Sequence, residues 1–167
     1  MITSQASLTA RRFVEELKSC GITHLVWLPD SEARFMYDAI VADQALTLVP
    51  VCREGEAFVV AMGLMIGGKT PAVMIQNTGL FESGDSLRGV ALDCKLPLLT
   101  LIGYRGWRHG QPMTDSAGEY TECYLDAWGI THYLIESDQD VRLISKAFRE
   151  AQELSQPVAV LIGTEYE

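Results

Sequence analysis

Two kinds of apolar pattern alternate along the whole chain, and this alternation restricts the fold more than any other feature of the sequence. Short, continuous apolar runs are typical of strands buried on both faces, whereas apolar residues that recur every three or four positions are typical of helices. Six short runs occur, at about residues 24–28, 46–51, 72–75, 97–102, 133–135 and 158–162. Strands that alternate with helices pair in parallel. We therefore predict an α/β fold: a single three-layer domain over residues 1–167, with a six-stranded, mostly parallel sheet and helices on both faces.

Helical patterns fill the intervals between these strands. They cover about residues 7–21, 30–43, 54–67, 84–95, 117–128 and 138–154. Ser7 and Asp30–Ser31 are the predicted caps of the first two helices. The third helix is apolar on nearly all sides, so we expect it to be buried. Two polar loops remain, at 76–83 and 103–117, and the second is long enough to indicate a functional or mobile segment.

Composition and charge disfavour several classes of function. With 13 Lys and Arg against 22 Asp and Glu, the net charge of −9 opposes binding to nucleic acids and to anionic membranes. Met1–Gln5 contains no basic segment followed by an apolar run, so no signal peptide is predicted. The longest apolar run, 57–66, is too short to span a bilayer. We therefore expect a cytoplasmic protein.

The four cysteines, Cys20, Cys52, Cys94 and Cys123, are widely spaced. They form no C-x-x-C pair and lie at no ligand spacing from a histidine, so no metal site is predicted. We expect reduced thiols, most of them buried, as is typical of cytoplasmic proteins.

Parallel sheets bind their ligands at the carboxyl ends of the strands. The segments that follow strand ends and contain polar or charged residues are 28–31, 52–56, 76–83 and 103–113. The sequence contains no dinucleotide-binding, P-loop or nucleophile-elbow motif at these ends. Function is therefore to be sought in other patterns within the four segments.

An acidic residue opens the apolar third helix. Glu54 stands where strand gives way to helix, in the sequence Arg53-Glu54-Gly55-Glu56-Ala57. One interpretation is that Glu54 and Glu56 stabilise the positive end of the helix dipole. The other is that one carboxylate is held in an apolar pocket to bond a protonated ring nitrogen. The following strand leads into Gln76-Asn77-Thr78-Gly79-Leu80, which is either a turn or a set of amide and hydroxyl groups presented to a ligand.

These two motifs, E-G-x-A at 54–57 and Q-N-[ST]-G-L at 76–80, resemble the pyrimidine-binding domain of thiamine-diphosphate enzymes. Leu28-Pro29-Asp30-Ser31 and Gly103-Tyr104-Arg105-Gly106 resemble the same group at the ends of the first and fourth strands. The resemblance covers essentially the whole chain and points, within that group, to the alpha subunits of sulfopyruvate decarboxylases and the matching half of phosphonopyruvate decarboxylases. The chain departs from the family pattern at Phe81–Glu82 and in the loop 107–116.

The resemblance implies a thiamine diphosphate cofactor and a role for Glu54. In that family the matching glutamate bonds N1′ of the cofactor's aminopyrimidine, which helps the cofactor to lose the proton on C2 of its thiazolium ring. Glu54 is therefore predicted to be catalytic and cofactor-binding, and Glu56 to be a supporting or surface residue. Further cofactor contacts are predicted from Pro29, Gln76, Asn77, Thr78 and Gly79.

Charged and polar side chains of two loops are candidates for binding the substrate. A doubly anionic 2-oxo acid needs fixed cations, and Arg105 and Arg108 fit because guanidinium groups bind sulfonates and carboxylates through two parallel bonds. Related decarboxylases carry catalytic histidines in this loop, which makes His109 the candidate proton donor. Asp30 and Ser31 are predicted to orient the substrate, or else to cap a helix. The alternative for the basic loop is a mobile, solvated segment.

The resemblance also implies a second polypeptide. In this superfamily a G-D-G segment with an asparagine downstream holds the diphosphate and its Mg²⁺, whereas this chain has Gly84-Asp85-Ser86 and its single asparagine, Asn77, lies upstream. We therefore expect a beta subunit that carries the diphosphate-binding domain and Mg²⁺, in an α2β2 or larger complex.

The expected function is that of the alpha, pyrimidine-binding subunit of a 2-oxo acid decarboxylase, of the sulfopyruvate or phosphonopyruvate type, which releases an aldehyde and CO₂. Two alternatives stay open. One is a split carboligase of the acetolactate-synthase type, and the other is a non-catalytic α/β module that binds a metabolite or regulates a partner.

Overall fold

A computed structural model describes residues 7–163 of the chain. The predicted domain covers 1–167, and its two terminal segments, 1–6 and 164–167, lie outside the described residues. Its sheet has six strands, all parallel, in the order β2-β1-β3-β4-β6-β5. The strands are β1 (His24–Trp27), β2 (Thr47–Pro50), β3 (Pro71–Gln76), β4 (Leu99–Gly103), β5 (His132–Ile135) and β6 (Val158–Ile162). The predicted α/β fold class is confirmed, and the sheet is parallel throughout.

Seven α-helices are assigned within residues 7–163. They are α1 (Ala10–Ser19), α2 (Tyr37–Ala42), α3 (Glu54–Ile66), α4 (Asn77–Glu82), α5 (Gly84–Ser86), α6 (Ser116–Ala127) and α7 (Arg142–Leu154). A 3-10 turn, Arg34–Met36, precedes α2, and a π-helical segment, Leu87–Leu92, continues α5.

Helices cover both faces of the sheet. Successive strand residues point to opposite faces, so Trp27 packs into a core with α1, α2 and α7, whereas its neighbour Val26 packs into a second core with α3, α4 and α6. Both side chains are fully buried. This arrangement is the predicted three-layer architecture, and it leaves the carboxyl ends of the strands at one edge of the sheet.

Several predicted boundaries are wrong. Helix α1 is capped by Thr9 rather than Ser7, and the Thr9 side chain accepts a hydrogen bond from the backbone N–H of Arg12. The second helix starts later than predicted, because the Asp30 carboxylate accepts the N–H groups of Glu32 and Ala33 and closes a turn there. Helix α7 likewise starts after a turn in which Asp140 accepts backbone and side-chain bonds from Ser137.

Most of the stretch 76–83 is helical instead of the predicted polar loop, since α4 covers residues 77–82. Helix α4 begins at Asn77, directly after the last residue of β3. Asn, Thr and Gly are common in turns, but here the abrupt change from strand to helix brings the first turn of α4 to the carboxyl edge of the sheet. Gln76 therefore ends the strand, and residues 77–80 form the first turn of a helix at that edge.

Helix α3 is less buried than predicted. Ala57, Phe58 and Ala61 face the sheet and are fully buried, but Val59 is 48% exposed and Ile66 is 80% exposed. The helix lies on one face of the sheet, so only one of its sides can reach the core. The prediction of mostly buried thiols is also wrong, since Cys52, Cys94 and Cys123 are exposed and Cys20 is half-buried.

None of the helices between residues 7 and 163 is both long and apolar enough to cross a membrane. Over the same part of the chain, no three His, Cys, Asp or Glu side chains are grouped in a way that would hold a metal ion.

Candidate active site

Glu54 is the first residue of α3, and its side chain lies against the first turn of α4. A Cβ atom placed on Gly79 would stand 2.2 Å from Cγ of Glu54 and 2.6 Å from both Cδ and Oε1. No side chain at position 79 fits without moving the glutamate. Glu54 is half-buried, and its carboxylate accepts no hydrogen bond from the described residues, in contrast to Glu56 and Glu82 nearby. The carboxylate is therefore fixed in place by packing and is left able to accept a bond from a ligand.

A network of ionic and backbone bonds fixes the start of α3. Glu82, at the end of α4, accepts the backbone N–H of Gly55 at 2.9 Å and the Arg53 Nε–H at 3.1 Å. The bond from Arg53 and that from Gly55 lower the pKa of the Glu82 carboxyl below its ordinary value. Glu56 accepts the N–H of Cys52 at 3.1 Å. Glu56 is exposed and bonds the backbone just before α3, and its predicted stabilisation of the helix dipole stays a prediction.

The five residues 76–80 have different environments. The Gln76 side-chain oxygen accepts the Thr78 hydroxyl at 2.7 Å, and both side chains reach the edge of the sheet. Asn77 is fully buried, and its Nδ2 donates to the Arg105 carbonyl and to Oγ1 of Thr121, each at 3.0 Å. Its Oδ1 is also buried and has no partner among the described residues. The Asn77 side chain therefore ties α4 to α6 and to the loop after β4 instead of lining the edge.

The end of β1 contributes a cavity of about 530 Å³, lined by Trp27, Pro29, Asp30, Ser31, Arg34, Tyr37 and Asp38. Burial raises the pKa of the Asp30 carboxyl, although Trp27 Nε1 donates to it at 3.2 Å. The Asp30 Oδ1 atom closes the turn before the second helix. Neither the 3-10 turn Arg34–Met36 nor α2 has a side-chain cap, so the prediction that Asp30 caps this helix is wrong, and its predicted role in orienting the substrate stays a prediction. The sequence analysis did not single out Arg34, which lines this cavity and lies in the 3-10 turn before α2.

The loop between Gly103 and α6 is ordered by aromatic and ionic contacts. Trp107 stacks on Tyr104 with ring centroids 5.3 Å apart and donates from Nε1 to Glu136 Oε1 at 2.8 Å. His109 Nδ1 lies 3.0 Å from the same carboxylate oxygen. Arg105 pairs with Asp115 at 2.9 Å. Sequence reading missed Glu136, because no local pattern connects it to a loop 27 positions away.

The predicted site residues lie at three places along the edge of the sheet. Glu54 and Gly79 are in contact, and the ends of β1 and β4 meet where a Cβ on Gly103 would lie 3.2 Å from Asp30 Oδ1. His109, in contrast, lies against Glu136, which follows β5. Strand β5 is three positions from β3 in the sheet, about 14 Å at ~4.8 Å per strand. Arg108 is exposed on the same loop as His109.

The segment Gly84-Asp85-Ser86 has none of the features of an anion cradle. The Asp85 carboxylate is 92% exposed and is paired with Arg88 at 2.6 Å. A carboxylate that faces solvent and is bonded to a neighbouring guanidinium on the same helical segment is not arranged to hold a metal ion and a diphosphate.

Residues 8–110 match the family described as thiamine pyrophosphate enzyme, N-terminal TPP binding domain. The chain is 28% identical over 152 residues to the sulfopyruvate decarboxylase subunit alpha of Methanocaldococcus jannaschii, and the alignment covers 90% of each protein. It is 36% identical over 90 residues to the subunit of the same name from Methanothermobacter thermautotrophicus, which is 54% of each.

A further relative is the phosphonopyruvate decarboxylase of Streptomyces viridochromogenes, which is 28% identical over 134 residues, or 78% of this chain and 34% of the relative. The family match spans more than half of the chain and includes the ends of β1, β2, β3 and β4, where the candidate site lies. The chain therefore belongs to the thiamine pyrophosphate enzymes and carries their N-terminal TPP binding domain.

Proposed function

We propose that this chain is the alpha subunit of a two-subunit decarboxylase that uses thiamine diphosphate (thiamine pyrophosphate) to remove CO₂ from an anionic 2-oxo acid. One observation carries the proposal: Glu54 is packed against Gly79 and keeps a carboxylate that no described residue bonds. That is the arrangement needed to accept a hydrogen bond from a ring nitrogen. The names of the relatives support decarboxylation in particular.

The site fits one end of the cofactor. Glu54 and the polar edge formed by Gln76 and Thr78 suit an aminopyrimidine ring, which needs both hydrogen-bond acceptors and donors. The exposed, paired Asp85 does not suit a diphosphate with Mg²⁺. We therefore propose that a beta subunit holds the diphosphate and Mg²⁺, and that two alpha and two beta subunits assemble. The M. jannaschii relative, which has nearly the same length as this chain, is itself named a subunit.

When bound, the cofactor supplies the electron sink for loss of CO₂. The contribution of this chain is positional and electrostatic. Glu54 accepts a bond at the pyrimidine nitrogen, Gly79 allows its close approach to α4, and Glu82 holds the first turn of α3. These groups are fixed before the ligand arrives, so little reorganisation is needed when the charge distribution changes during the reaction.

Arginines near the site are the basis for proposing a substrate with a second anionic group beside its carboxylate. Sulfopyruvate is proposed first and phosphonopyruvate second. Arg34 belongs to the cavity at the end of β1, and Arg105 and Arg108 lie on the loop after β4. Arg105 is already paired with Asp115, so a substrate sulfonate has to compete with that carboxylate. Arg108 is the more accessible cation of the loop. His109 is proposed as the proton donor to the product.

Substitution of Glu54 tests the proposal. In a complex of this chain with its beta subunit, supplied with thiamine diphosphate and Mg²⁺, we expect CO₂ and an aldehyde from sulfopyruvate or phosphonopyruvate. Glu54→Gln should lower kcat by about 10²-fold or more, because an amide no longer offers the ionised acceptor. Glu56→Gln is the matched control, since Glu56 is exposed and lies in the first turn of the same helix, and its activity should stay within a few-fold.

An equal loss in both variants would contradict the assigned role of Glu54. Formation of a larger, carbon–carbon coupled product from two 2-oxo acids would indicate a carboligase. An intact, cofactor-loaded complex that turns over neither class of reaction would indicate a binding or regulatory module.

A further inference from the structure

We propose that Glu136 is a positioning residue that fixes the ring orientation and tautomer of His109. The inference rests on the proposed function, in which His109 transfers a proton. Glu136 is not part of any motif discussed above, and it meets Trp107 and His109 only because the loop 104–115 folds onto the end of β5.

The Glu136 carboxylate lies within hydrogen-bond distance of two ring nitrogens. Its Oε1 accepts from Trp107 Nε1 at 2.8 Å, and His109 Nδ1 lies 3.0 Å from Oε1 and 3.1 Å from Oε2. The glutamate side chain is 18% exposed, whereas that of His109 is 61% exposed. The carboxylate is therefore sheltered beneath the imidazole, and the opposite side of the imidazole is open.

The position of this carboxylate is strongly restricted. Its backbone N–H is bonded to Asp140 at 3.1 Å. Its partner Trp107 is stacked on the buried Tyr104, and a Cβ placed on Gly163 would stand 2.5 Å from Cδ1 of Trp107. The Trp107 ring is thus packed on one face by tyrosine and is in close contact with the backbone at the end of β6.

A chemical consequence follows from the donor and acceptor types. An ionised carboxylate only accepts hydrogen bonds, so Nδ1 of His109 carries the hydrogen and Nε2 is the atom that exchanges a proton. In the proposed reaction the proton leaves Nε2 and passes to the product carbon, the ring becomes neutral with its hydrogen on Nδ1, and Glu136 stays ionised throughout. Carboxylate-oriented histidines of this kind are a general device of proton-transfer sites.

The test uses nitrogen NMR of the intact complex, with ¹⁵N-histidine incorporated in this chain. The chain has three histidines, so His24 and His132 serve as internal references. In the wild type we expect the neutral His109 ring to be the Nδ1–H tautomer. In Glu136→Gln the amide can donate to Nδ1, and we expect His109 to change to the Nε2–H tautomer while the two reference histidines do not change.

Activity supplies the second measurement. Glu136→Gln should lower kcat by roughly 10- to 100-fold, by analogy with the loss of residues that orient metal-binding histidines. KM should change less than threefold. Glu136→Asp keeps the carboxylate, so it should restore the Nδ1–H tautomer and part of kcat. Glu119→Gln, an exposed carboxylate on α6, is the control and should change neither measurement.

The outcomes separate this inference from the proposed function. An Nε2–H tautomer in the wild type, or no tautomer change in Glu136→Gln, overturns the role of Glu136. Full activity of His109→Gln also overturns it, because no proton transfer would then depend on the oriented ring. A wild-type complex that decarboxylates no 2-oxo acid contradicts the proposed function, whereas the NMR result, which needs no substrate, is obtained independently.

Discussion

At the scale of single residues, the contact between Glu54 and Gly79 limits position 79 to glycine. The constraint is steric, because the glutamate side chain occupies the space in which any Cβ would stand. The backbone of Gly79 is ordinary helix, so its conformation alone does not require glycine. The residue types at 76–80 predict a turn in which glycine is common. The structure gives a different reason for glycine at position 79, namely the close approach of the Glu54 side chain of α3.

Gly79→Ala tests this constraint. The new methyl group must displace Glu54 or separate α3 from α4, and we expect a loss of about 1–3 kcal/mol in the free energy of unfolding, as for other overpacked sites. We also expect at least a tenfold weaker affinity of the complex for thiamine diphosphate. Urea denaturation of this chain and calorimetric titration of the complex measure the two effects.

Gly89→Ala is the matched control for that substitution. Gly89 lies in the π-helical segment, and a Cβ there would meet nothing within 4 Å. The free energy of unfolding should stay the same or rise, by up to about 1 kcal/mol, and cofactor affinity should not change. If Gly79→Ala behaves like Gly89→Ala, the close contact between Glu54 and α4 is not important for cofactor binding.

The sequence predicted these single residues unequally well. An acid at the start of an apolar helix is unusual, which drew attention to Glu54 and Glu56. Glu54 was chosen between them because it is the glutamate of the E-G-x-A motif, and its role stays a prediction. Asn77 was assigned to the cofactor, yet its side chain is buried and bonded to Arg105 and Thr121. Glu136 was not singled out at all, since its bonds to Trp107 and His109 exist only after the loop folds onto β5.

At the scale of elements, the site depends on how α3 and α4 are held together. The two helices start at neighbouring points of the sheet edge, and Glu82 joins them by accepting bonds from Arg53 and Gly55. Strands were predictable because a continuous apolar run has few alternatives in an α/β domain. Helix starts were less predictable, because turns closed by Asp30 and Asp140 use the same residues that cap helices.

Glu82→Ala tests the connection between the two helices. The pair with Arg53 is exposed, and exposed pairs contribute only ~0–1 kcal/mol, so we expect little change in thermal stability. The first turn of α3 should loosen, since the Gly55 N–H loses its acceptor, and the affinity for thiamine diphosphate should fall several-fold.

Asp93→Ala provides the comparison for Glu82→Ala. It removes another exposed ion pair, that with Arg88, but leaves α3 untouched, so cofactor affinity should be preserved. Hydrogen exchange at residues 54–57 gives a second readout, and it should be faster only in Glu82→Ala. Unchanged exchange there would mean that packing alone fixes the start of α3.

At the scale of the whole molecule, the alternation of strands and helices explains the parallel sheet and the two cores on its faces. The same alternation does not explain why one side of α3 is exposed. The sequence of α3 is apolar on nearly all sides, and this pattern predicted a buried helix. Instead, a groove of about 640 Å³ adjoins the start of α3 and includes Val59 and Glu82. An apolar helix with one exposed side indicates an interaction surface.

The last prediction concerns that surface. Val59 lines the groove beside the start of α3, together with Arg53 and Glu82. A beta subunit that closes over this end of α3, as proposed, is therefore expected to contact Val59. We expect Val59→Asp to weaken association of the two subunits at least tenfold, about 1.4 kcal/mol. The decarboxylase activity should fall at low protein concentration and recover as the concentration of the beta subunit is raised.

Val41→Asp is the control, because Val41 is a similarly exposed valine, on α2, with 55% of its surface accessible compared with 48% for Val59. Substitution of an exposed side chain changes stability by only about 0.5 kcal/mol, so both variants should fold. Analytical ultracentrifugation of the two variants with the beta subunit measures association directly. Equal association of both would place the subunit interface elsewhere, whereas a selective loss in Val59→Asp means that the cofactor pocket and the subunit contact share the helix that Glu54 begins.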